Sequence, residues 1–406
     1  MTRRTASLGG IRVADFSQNR AGPVCTMLLG DLGAEVIKIE APPAGDPIRQ
    51  FGARVGGEGL DYLTANRNKR SVALNLRSES GPPLARRLVA GADVVVENFR
   101  PGVMKKLGLD YEAVRSINPR VVYCSISGWG QSGPHASRPG YDQVAQGVSG
   151  FMSLTGTEES GPLRVGVPIG DLVAGVYAAV GVMTALYERS VSGEGQYVHT
   201  SLLETLVSLL SLQAERYLLL GETPEPVGNH HPLIVPAGCF PAKDGYLNIS
   251  IGTEAQWRRL CEAMELPELA DDPRFASFEV RAQHRREVLA ILADRFRERS
   301  RDEWLRRLEA ADIASGPVYG VHEVFHDPQV LHAEMVQEIP HPTIGMLKLV
   351  GFPFKLSRTP PTLARYPPRY GEHTEEVLKE LGCTAEEVAA ALHEAGLRPR
   401  AEAPRA

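Results

Sequence analysis

A single carboxylate, Asp171, stands between a flexible approach and a long uncharged segment, a placement suited to covalent chemistry. Gly166, Pro168 and Gly170 precede it, and residues 172–187 carry no charged side chain. This uncharged run has the length of a helix, and its small residues predict close packing in the interior. Asp171 is therefore expected at the entrance of a buried helix, where a nucleophilic carboxylate is shielded from water. Alternatively, Asp171 is only the N-cap that accepts hydrogen bonds from the first backbone N–H groups.

A cluster of cations at residues 66–71 suggests a second kind of chemistry, anion binding. Its sequence is NRNKRS, and it leads directly into a predicted strand over 72–76. Three cations beside a strand end suit an anion such as a nucleotide 3'-phosphate. A solvated turn is the alternative. The helix predicted to begin at Pro23 offers a further place for a phosphate, because the first N–H groups of a helix are free.

Two loops follow predicted strands at positions where ligands often bind. The strand DVVVE at 93–97 runs into NFRPG at 98–102, and ligands of doubly wound sheets collect at such carboxyl ends. The next strand is followed by GWGQSG at 128–133, which formally matches a dinucleotide-binding motif. Pro134 and Pro139 prevent a helix from opening there. A flexible loop over an active site is therefore the preferred interpretation of these glycines.

Neither a metal site nor a nucleic-acid site is indicated. His230 and His231 are adjacent but have no third partner at helical spacing, so they are interpreted as loop residues. The formal net charge of -5 argues against a general nucleic-acid binder. Five cysteines are scattered without a paired motif and are expected to be reduced, mostly structural thiols: Cys25, Cys124, Cys239, Cys261 and Cys383.

A cytoplasmic protein with no membrane partner is expected. The N-terminus has no apolar core of signal-peptide length before the first predicted strand. The uncharged run after Asp171 is shorter than the roughly 20 residues that a membrane span needs.

The predicted elements that position these residues are those of an α/β protein. A strand at 11–16, a helix at 24–32 and a strand at 35–40 form a β-α-β opening, which requires a parallel sheet. A second long helical pattern covers 198–220. The chain has 406 residues, more than a single core usually supports, and charged amphipathic helices from 256 to 310 predict a second, smaller domain.

Taken together, these segments resemble the class III coenzyme A transferases, the family that contains formyl-CoA transferase and carnitine CoA-transferase. The resemblance covers nearly the whole chain, and the order and spacing of its pieces are specific. Those pieces are the AGP turn at 21–23, EVIKIE, NKRS, DVVVENFRPG, the GD before the long helix, GPV at 316–318 and GEHTEEVLKELG near the end.

The resemblance implies which residues form the active site. Asp171 matches the aspartate that becomes acylated in this family. The positions that match residues lining the CoA site are Arg20, Ala21, Leu74, Asn75, Leu76, Arg77, Asn98, Phe99, Arg100, Lys106, Tyr141 and Asp142.

The resemblance also implies the architecture. A large Rossmann-like domain with a parallel sheet is expected from the N- and C-terminal parts, residues 1–220 and 331–406. A smaller central α+β domain is expected at 221–330. Two such chains are expected to form an intertwined homodimer.

The activity that the resemblance implies is CoA transfer from a donor acyl-CoA, plausibly succinyl-CoA, to a small carboxylic acid. Aspartyl anhydride and aspartyl-CoA thioester intermediates carry the acyl and CoA groups, CoA and acyl-CoA are substrates, and no tightly bound cofactor is expected. Basic residues that bind CoA in formyl-CoA transferase fall at Pro42 and Pro139, which argues against formate or oxalate as the substrate.

Three alternatives stay open. A 2-methylacyl-CoA racemase shares the fold but needs a histidine where this chain has Tyr141, and tyrosine, with a pKa near ~10, is a poor base for an α-proton. An acyl-CoA isomerase that works by intramolecular CoA transfer is the second. A non-catalytic CoA-binding protein, which has no use for Asp171, is the third.

Overall fold

The computed structural model describes residues 6–398, which form two compact units. The large unit contains residues 6–151, 164–215 and 332–398 of the described chain, and the small unit contains residues 152–163 and 216–331. Each unit has its own hydrophobic core.

The large unit is built around a six-stranded, wholly parallel sheet. Its strands lie in the order β3-β2-β1-β4-β5-β6, so the chain reverses direction across the sheet between β1 and β4. This is the doubly wound order, and the predicted α/β fold with a parallel sheet is confirmed. The strands are β1 Arg12–Asp15, β2 Glu35–Glu40, β3 Lys69–Ala73, β4 Val94–Glu97, β5 Val122–Ser127 and β6 Tyr197–Ser201.

The remaining described strands form two antiparallel sheets and two short two-stranded ladders. The small unit holds the sheet β7-β8-β9, whose core includes Trp257, Phe296 and Trp304, and a hairpin in the large unit is formed by β10 and β11. These strands are β7 Ala237–Ala242, β8 Gly245–Ser250, β9 Ala314–Pro317, β10 Val336–His341 and β11 Gly345–Val350, and the ladders pair Arg54–Val55 with Glu58–Gly59 and Gly156–Thr157 with Gly161–Pro162.

Helices cover both faces of the parallel sheet because successive strand residues point to opposite sides. Val13 and Val36 pack on one face with α1 and α7, and Ala14 and Ile37 pack on the other face with α3, α16 and α17. The helices in chain order are α1 Ala21–Asp31, α2 Leu60–Leu63, α3 Gly81–Ala90, α4 Val103–Lys106, α5 Tyr111–Ile117, α6 Asp142–Val148, α7 Ile169–Ser192, α8 Leu202–Ser208, α9 Leu212–Leu220, α10 Glu254–Ala263, α11 Phe278–Gln283, α12 Arg285–Phe296, α13 Arg301–Ala310, α14 Val321–Val324, α15 Pro328–His332, α16 Thr374–Glu380 and α17 Ala385–Glu394. Short 3-10 turns occupy Pro47–Gln50, Phe151–Leu154, Pro267–Ala270 and Pro273–Phe275.

The long helix α7 has 24 residues and extends beyond the uncharged run 172–187, so the length of that run does not decide whether the helix could span a membrane. Within residues 6–398 it is the one helix that could cross a membrane by length and composition alone. Core helices of globular proteins pass the same test, and Ala174, Ala178 and Val182 of α7 are buried in the core that α1 shares with the sheet. At Gly175 an added Cβ would lie only 2.7 Å from the carbonyl oxygen of Ala21, so the two helix backbones are in close contact.

The predicted continuous helix over 198–220 was wrong. Residues 197–201 form the edge strand β6, which pairs with β5, and two separate helices follow. Tyr197, Val198 and Thr200 are aromatic or β-branched residues, which fit a sheet surface. Ser201 then caps α8, since its hydroxyl accepts from the N–H of Glu204 at 3.1 Å.

Candidate active site

Asp171 lies in the first turn of α7, at the third helical residue. Pro168 occupies the N-cap position and provides no side-chain cap, so the alternative that Asp171 is the N-cap of this helix is wrong. The side chain is half-buried, and an uncharged helix follows it for sixteen residues, from 172 to 187. The carboxylate therefore sits at the positive end of a helix dipole and above an apolar surface.

Asp142 performs the capping that Asp171 does not. One of its carboxylate oxygens accepts from the backbone N–H of Gly170 at 2.7 Å and from that of Asp171 at 3.4 Å. The other oxygen accepts from Gln146 Nε2 at 2.6 Å, and Gln146 Oε1 in turn accepts from the N–H of Val165 at 3.1 Å. This chain of contacts fixes the start of α7, and with it the backbone of Asp171.

The surroundings of Asp171 raise the pKa of its carboxyl to about 7. Burial is the main cause, the negative charge of Asp142 adds to it, and the positive charge of Arg20 opposes both. Arg20 itself is held in place by an ion pair with Asp61 at 2.7 Å and by a hydrogen bond to Thr64 Oγ1 at 3.1 Å. At neutral pH a large share of Asp171 is thus an ionised and poorly solvated carboxylate, which is a reactive oxygen nucleophile.

A polar cleft of about 220 Å³ lies at the carboxyl ends of β1, β4 and β5. This is the point where the strand order reverses, the usual ligand position in such sheets. Its lining includes Gln18 and Asn19 after β1, residues 98–101 after β4, Ser127 after β5, and Arg138. The loops after β1 and β4 are joined, since the Asn98 side chain bonds both the N–H and the carbonyl of Gln18 at 2.7 and 2.8 Å.

The GWGQSG segment forms one wall of this cleft through a close backbone contact. A Cβ added to Gly128 would lie 2.7 Å from the Cα of Gly140, so both positions need glycine. Trp129 Nε1 donates to the carbonyl of Pro139 at 3.0 Å and keeps the loop folded back on itself. The next helix begins only at Asp142, so the glycines do not open a helix as a dinucleotide site would require.

The expected site residues fall into two groups, one that lines the polar cleft and one around Asp171. Asn98, Phe99, Arg100 and Tyr141 line the polar cleft. Arg20 and Asp142 act on Asp171, and Ala21, the first residue of α1, is buried beside Arg20.

The remaining expected site residues belong to neither group. Leu74 is buried in the core on the α3 side of the sheet, and Leu76 packs against the same core. Asn75 and Arg77 form a turn after β3, in which the N–H of Arg77 donates to Asn75 Oδ1 at 3.1 Å. Lys106 is exposed at the end of α4.

The cation cluster at 66–71 is neither an anion site nor a solvated turn, so both predictions for it were wrong. All six residues are buried, and each cation is paired with a carboxylate from a distant part of the chain. The pairs are Arg67 with Asp31 at 2.7 Å, Lys69 with Asp15 at 3.0 Å, and Arg70 with Glu35, Glu376 and Glu380 at 2.7 to 2.8 Å.

Three residues with contacts near the site were not predicted from the sequence: Gln146, which bonds Asp142, and Lys38 and Asp46, which bond the backbone of the loop after β1. Gln146 carries a usable signal, because it follows Asp142 by four residues and four-residue spacing places two side chains on one face of a helix. Lys38 carries a weaker one, as a cation between Ile37 and Ile39 in the buried strand EVIKIE. Asp46, in a Gly/Pro-rich loop, carries none.

One of the two adjacent histidines, His231, has a local structural role. His231 Nδ1 accepts from the N–H groups of Leu233 and Ile234 at 3.1 and 2.9 Å, which closes a turn. Over residues 6–398, no group of three or more His, Cys, Asp or Glu side chains is placed to hold a metal ion.

Comparisons with known proteins give a consistent result. The profile of CoA-transferase family III matches residues 8–374. The human protein named succinyl-CoA:glutarate CoA-transferase is 40% identical over 375 residues, which cover 92% of this chain and 86% of that protein. The Agrobacterium fabrum protein named succinate–glutarate CoA-transferase is 38% identical over 388 residues, 94% of this chain and 97% of that protein. The crystal structure of a CAIB/BAIF family protein from Brucella suis has a TM-score of 0.85 and 37% identity, and covers 93% of this chain and all of that one.

Proposed function

This chain belongs to CoA-transferase family III, and from that premise we propose that it moves CoA from succinyl-CoA to a small dicarboxylic acid. It is an acyl-CoA:carboxylate CoA-transferase. The observation that carries the proposal is Asp171 in the first turn of an apolar helix, with its pKa raised to about 7 between Asp142 and Arg20. A carboxylate in such a place can exchange acyl groups with a thioester.

In the first half of the proposed reaction, an oxygen of Asp171 attacks the thioester carbonyl of the donor. The carbon–sulfur bond breaks, and the products are a mixed anhydride on Asp171 and free CoA thiolate. The thiolate then attacks the aspartyl carbonyl of the anhydride. The donor acid leaves as its carboxylate, and Asp171 now carries CoA as a thioester, so the energy of the thioester bond is kept.

The second half repeats these steps in reverse with the acceptor. The acceptor carboxylate attacks the aspartyl-CoA carbonyl, releases CoA thiolate and forms a second anhydride. The thiolate attacks the acceptor's acyl carbon, which gives the new acyl-CoA and restores the Asp171 carboxylate. No net proton is taken up or released, so the site needs no separate acid or base.

Two guanidinium groups are proposed to bind the second carboxylate of the acceptor, Arg20 and Arg100. Arg100 lines the cleft, and no ion pair to it is found among the described residues. Arg20 is paired with Asp61, whose side chain is 48% exposed, so an incoming carboxylate can compete for it. A guanidinium binds a carboxylate through two parallel hydrogen bonds, which gives orientation as well as affinity.

The direct test is to incubate the protein with succinyl-CoA and a panel of isotopically labelled acids, and to follow the acyl-CoA products by mass spectrometry. We expect labelled acyl-CoA from glutarate or a similar dicarboxylate, with succinate released in equal amount. If no acid is converted, while 2-methylacyl-CoA exchanges its α-proton in deuterated water, the racemase interpretation replaces this one.

The pH dependence of catalysis follows from the raised pKa of Asp171. Only the ionised carboxylate attacks, so kcat/KM for succinyl-CoA is expected to fall tenfold per pH unit below an apparent pKa of about 7. Asp142→Asn removes a negative charge that raises this pKa, so the acid limb is expected to move to lower pH, by roughly one unit. Initial rates measured from pH 5 to 9 check both statements.

A control variant is needed because Glu97, next to the cleft, also has a pKa raised to about 7 by burial. Glu97 accepts from the N–H of Phe99 at 2.8 Å and does not act on Asp171. Glu97→Gln should therefore leave the acid limb in place. If the acid limb moves with Glu97→Gln and not with Asp142→Asn, the titrating carboxyl is Glu97 and not Asp171. That result would contradict the account.

A homodimer is the proposed assembly, supported by apolar side chains left exposed on α7. Tyr187 and Val191 are 75% and 78% exposed, and the same helix also exposes Val176, Tyr177 and Val180. Exposed apolar surface of this extent on one helix usually marks an interface. Analytical ultracentrifugation should give twice the chain mass, and a monomer at micromolar concentration would refute the assembly.

The proposed location is the cytoplasm, which cell fractionation would check. CoA is proposed as a substrate, and no resident cofactor is proposed.

A further inference from the structure

Six buried charged side chains of the large unit contact one another, and the proposed chemistry uses none of them. Taking a charge out of water is costly, and apolar replacements of buried ion pairs are often at least as stable. Overall stability is therefore a poor explanation for the group. Its members are Asp15, Lys38, Glu40, Asp46, Arg49 and Lys69.

One pair from this group bonds directly to the backbone of the loop at residues 17–20, which connects β1 to α1. Lys38 Nζ donates to the carbonyl oxygen of Ser17 at 2.7 Å. Asp46 Oδ1 accepts from the N–H of Asn19 at 2.9 Å. The two side chains are themselves paired at 2.9 Å and are 1% and 0% exposed. Asn98 also bonds the peptide groups of Gln18, so the backbone of three consecutive loop residues, 17–19, is fixed by side chains from other parts of the chain.

The loop needs such support because Asn19 has a φ of +59°, in the left-handed region. Residues other than glycine rarely adopt that conformation, although asparagine tolerates it better than most. Arg20 comes next, so the turn at Asn19 sets the direction in which the Arg20 side chain leaves the backbone. Arg20 lines one cavity together with Leu172, the residue after Asp171, so a relaxed loop would move the guanidinium away from the start of α7.

We propose that the Lys38–Asp46 pair is a positioning device for this loop, which fixes the turn at Asn19 and thereby holds the Arg20 guanidinium beside Asp171. The proposal rests on the proposed function, because Arg20 matters here through the nucleophile it faces. Two apolar side chains of the same volume would leave the carbonyl of the buried Ser17 without its partner and would remove the bond that fixes the N–H of Asn19. That requirement explains why charged groups are retained at these two positions.

The test compares the acid limb of kcat/KM in Asp46→Asn, in the double variant Lys38→Met with Asp46→Asn, and in Arg20→Gln. The charged groups that act on Asp171 are Arg20, which lowers its pKa, and Asp142, which raises it. Loss or displacement of Arg20 raises the Asp171 pKa, so the limb should move to higher pH by roughly one unit in Arg20→Gln. We expect the same shift in the double variant, which loses the Lys38 bond to Ser17, and a smaller shift in Asp46→Asn, whose amide oxygen can still accept from the N–H of Asn19. Adding Arg20→Gln to the double variant should produce no further shift, because both changes remove one interaction.

A matched control is available in the Arg67–Asp31 pair of the same unit, which is 2.7 Å long and similarly buried. Asp31 lies at the opposite end of α1 from Arg20. Asp31→Asn and Asp46→Asn should both lower the melting temperature. Asp31→Asn should leave the acid limb where it is. This separates positioning from a general loss of stability.

The proposal is overturned if Arg20→Gln moves the limb while Asp46→Asn and the double variant do not. It is also overturned if Arg20→Gln leaves the limb unchanged while Asp171 still forms its acyl adduct, and in that case the proposed function stands. Failure of the wild-type protein to form any adduct at Asp171 instead removes the proposed function. The double variant leaves neither charge unpaired, so it supplies folded protein if Asp46→Asn alone does not fold.

Discussion

Asp171→Asn is expected to reduce CoA transfer by roughly 10⁴-fold or more, the size of loss seen when a covalent nucleophile is removed. The amide has nearly the shape of the carboxylate but cannot attack a thioester, so neither anhydride nor aspartyl-CoA can form. Substrate binding should change little, and the loss should appear in kcat. Steady-state kinetics with succinyl-CoA and the preferred acceptor measure it.

Stability provides the internal control for this variant. The pKa of Asp171 is raised in the folded protein above its ordinary value of 3.8, so its ionised form disfavours folding at any pH above that ordinary value. Removing the carboxyl should therefore leave the melting temperature at pH 8 unchanged or higher, while activity is lost. A variant that keeps activity within tenfold of wild type would exclude Asp171 as the nucleophile.

Gly175→Val is expected to lower the free energy of unfolding by about 3 kcal/mol or more, as severe overpacking of a core does. Glycine in a helix is by itself unfavourable by roughly 1 kcal/mol relative to alanine, so propensity alone predicts a gain on replacement. Packing decides the sign, because an added Cβ would lie 2.7 Å from the Ala21 carbonyl oxygen and 2.9 Å from Val24 Cβ. Neither atom is at the end of a flexible side chain. The contact joins the helix that bears Asp171 to the helix that follows Arg20, so activity should fall as well.

Denaturant unfolding of Gly175→Val, Gly175→Ala and Gly166→Ala forms the matched set. Gly166 has no neighbouring atom within 4 Å of an added Cβ, so its replacement should cost little. If Gly175→Ala proves as stable as Gly166→Ala, the close contact between α1 and α7 is not as described.

The parallel sheet and the long helix could be predicted because their signals are local. The strands EVIKIE and DVVVE are rich in buried β-branched residues, as central parallel strands are, and the small residues after Asp171 indicate a packed helix. The segment 198–220 was assigned wrongly because residues 198–201 pair with β5, an interaction between elements that sequence spacing does not show.

The support of the site could not be predicted, because it depends on side chains that meet only in the folded chain. Asp142 and Asp171 are 29 residues apart, and Arg67, Lys69 and Arg70 find partners at Asp31, Asp15 and Glu376. In the sequence these cations are a basic run with no visible counter-charge. Composition alone predicted a phosphate site there. The prediction was wrong, because these cations are already paired with carboxylates in the folded chain.

The most direct test of the account is intact-protein mass spectrometry after incubation with succinyl-CoA and hydroxylamine, followed by peptide mapping. Hydroxylamine converts an activated aspartyl carbonyl to a hydroxamate, so the account predicts this mass change on the peptide that contains Asp171 in the wild-type protein. Asp171→Asn should show no change under the same conditions. A hydroxamate on any other carboxylate, or none at all during active turnover, would contradict Asp171 as the covalent carrier of CoA.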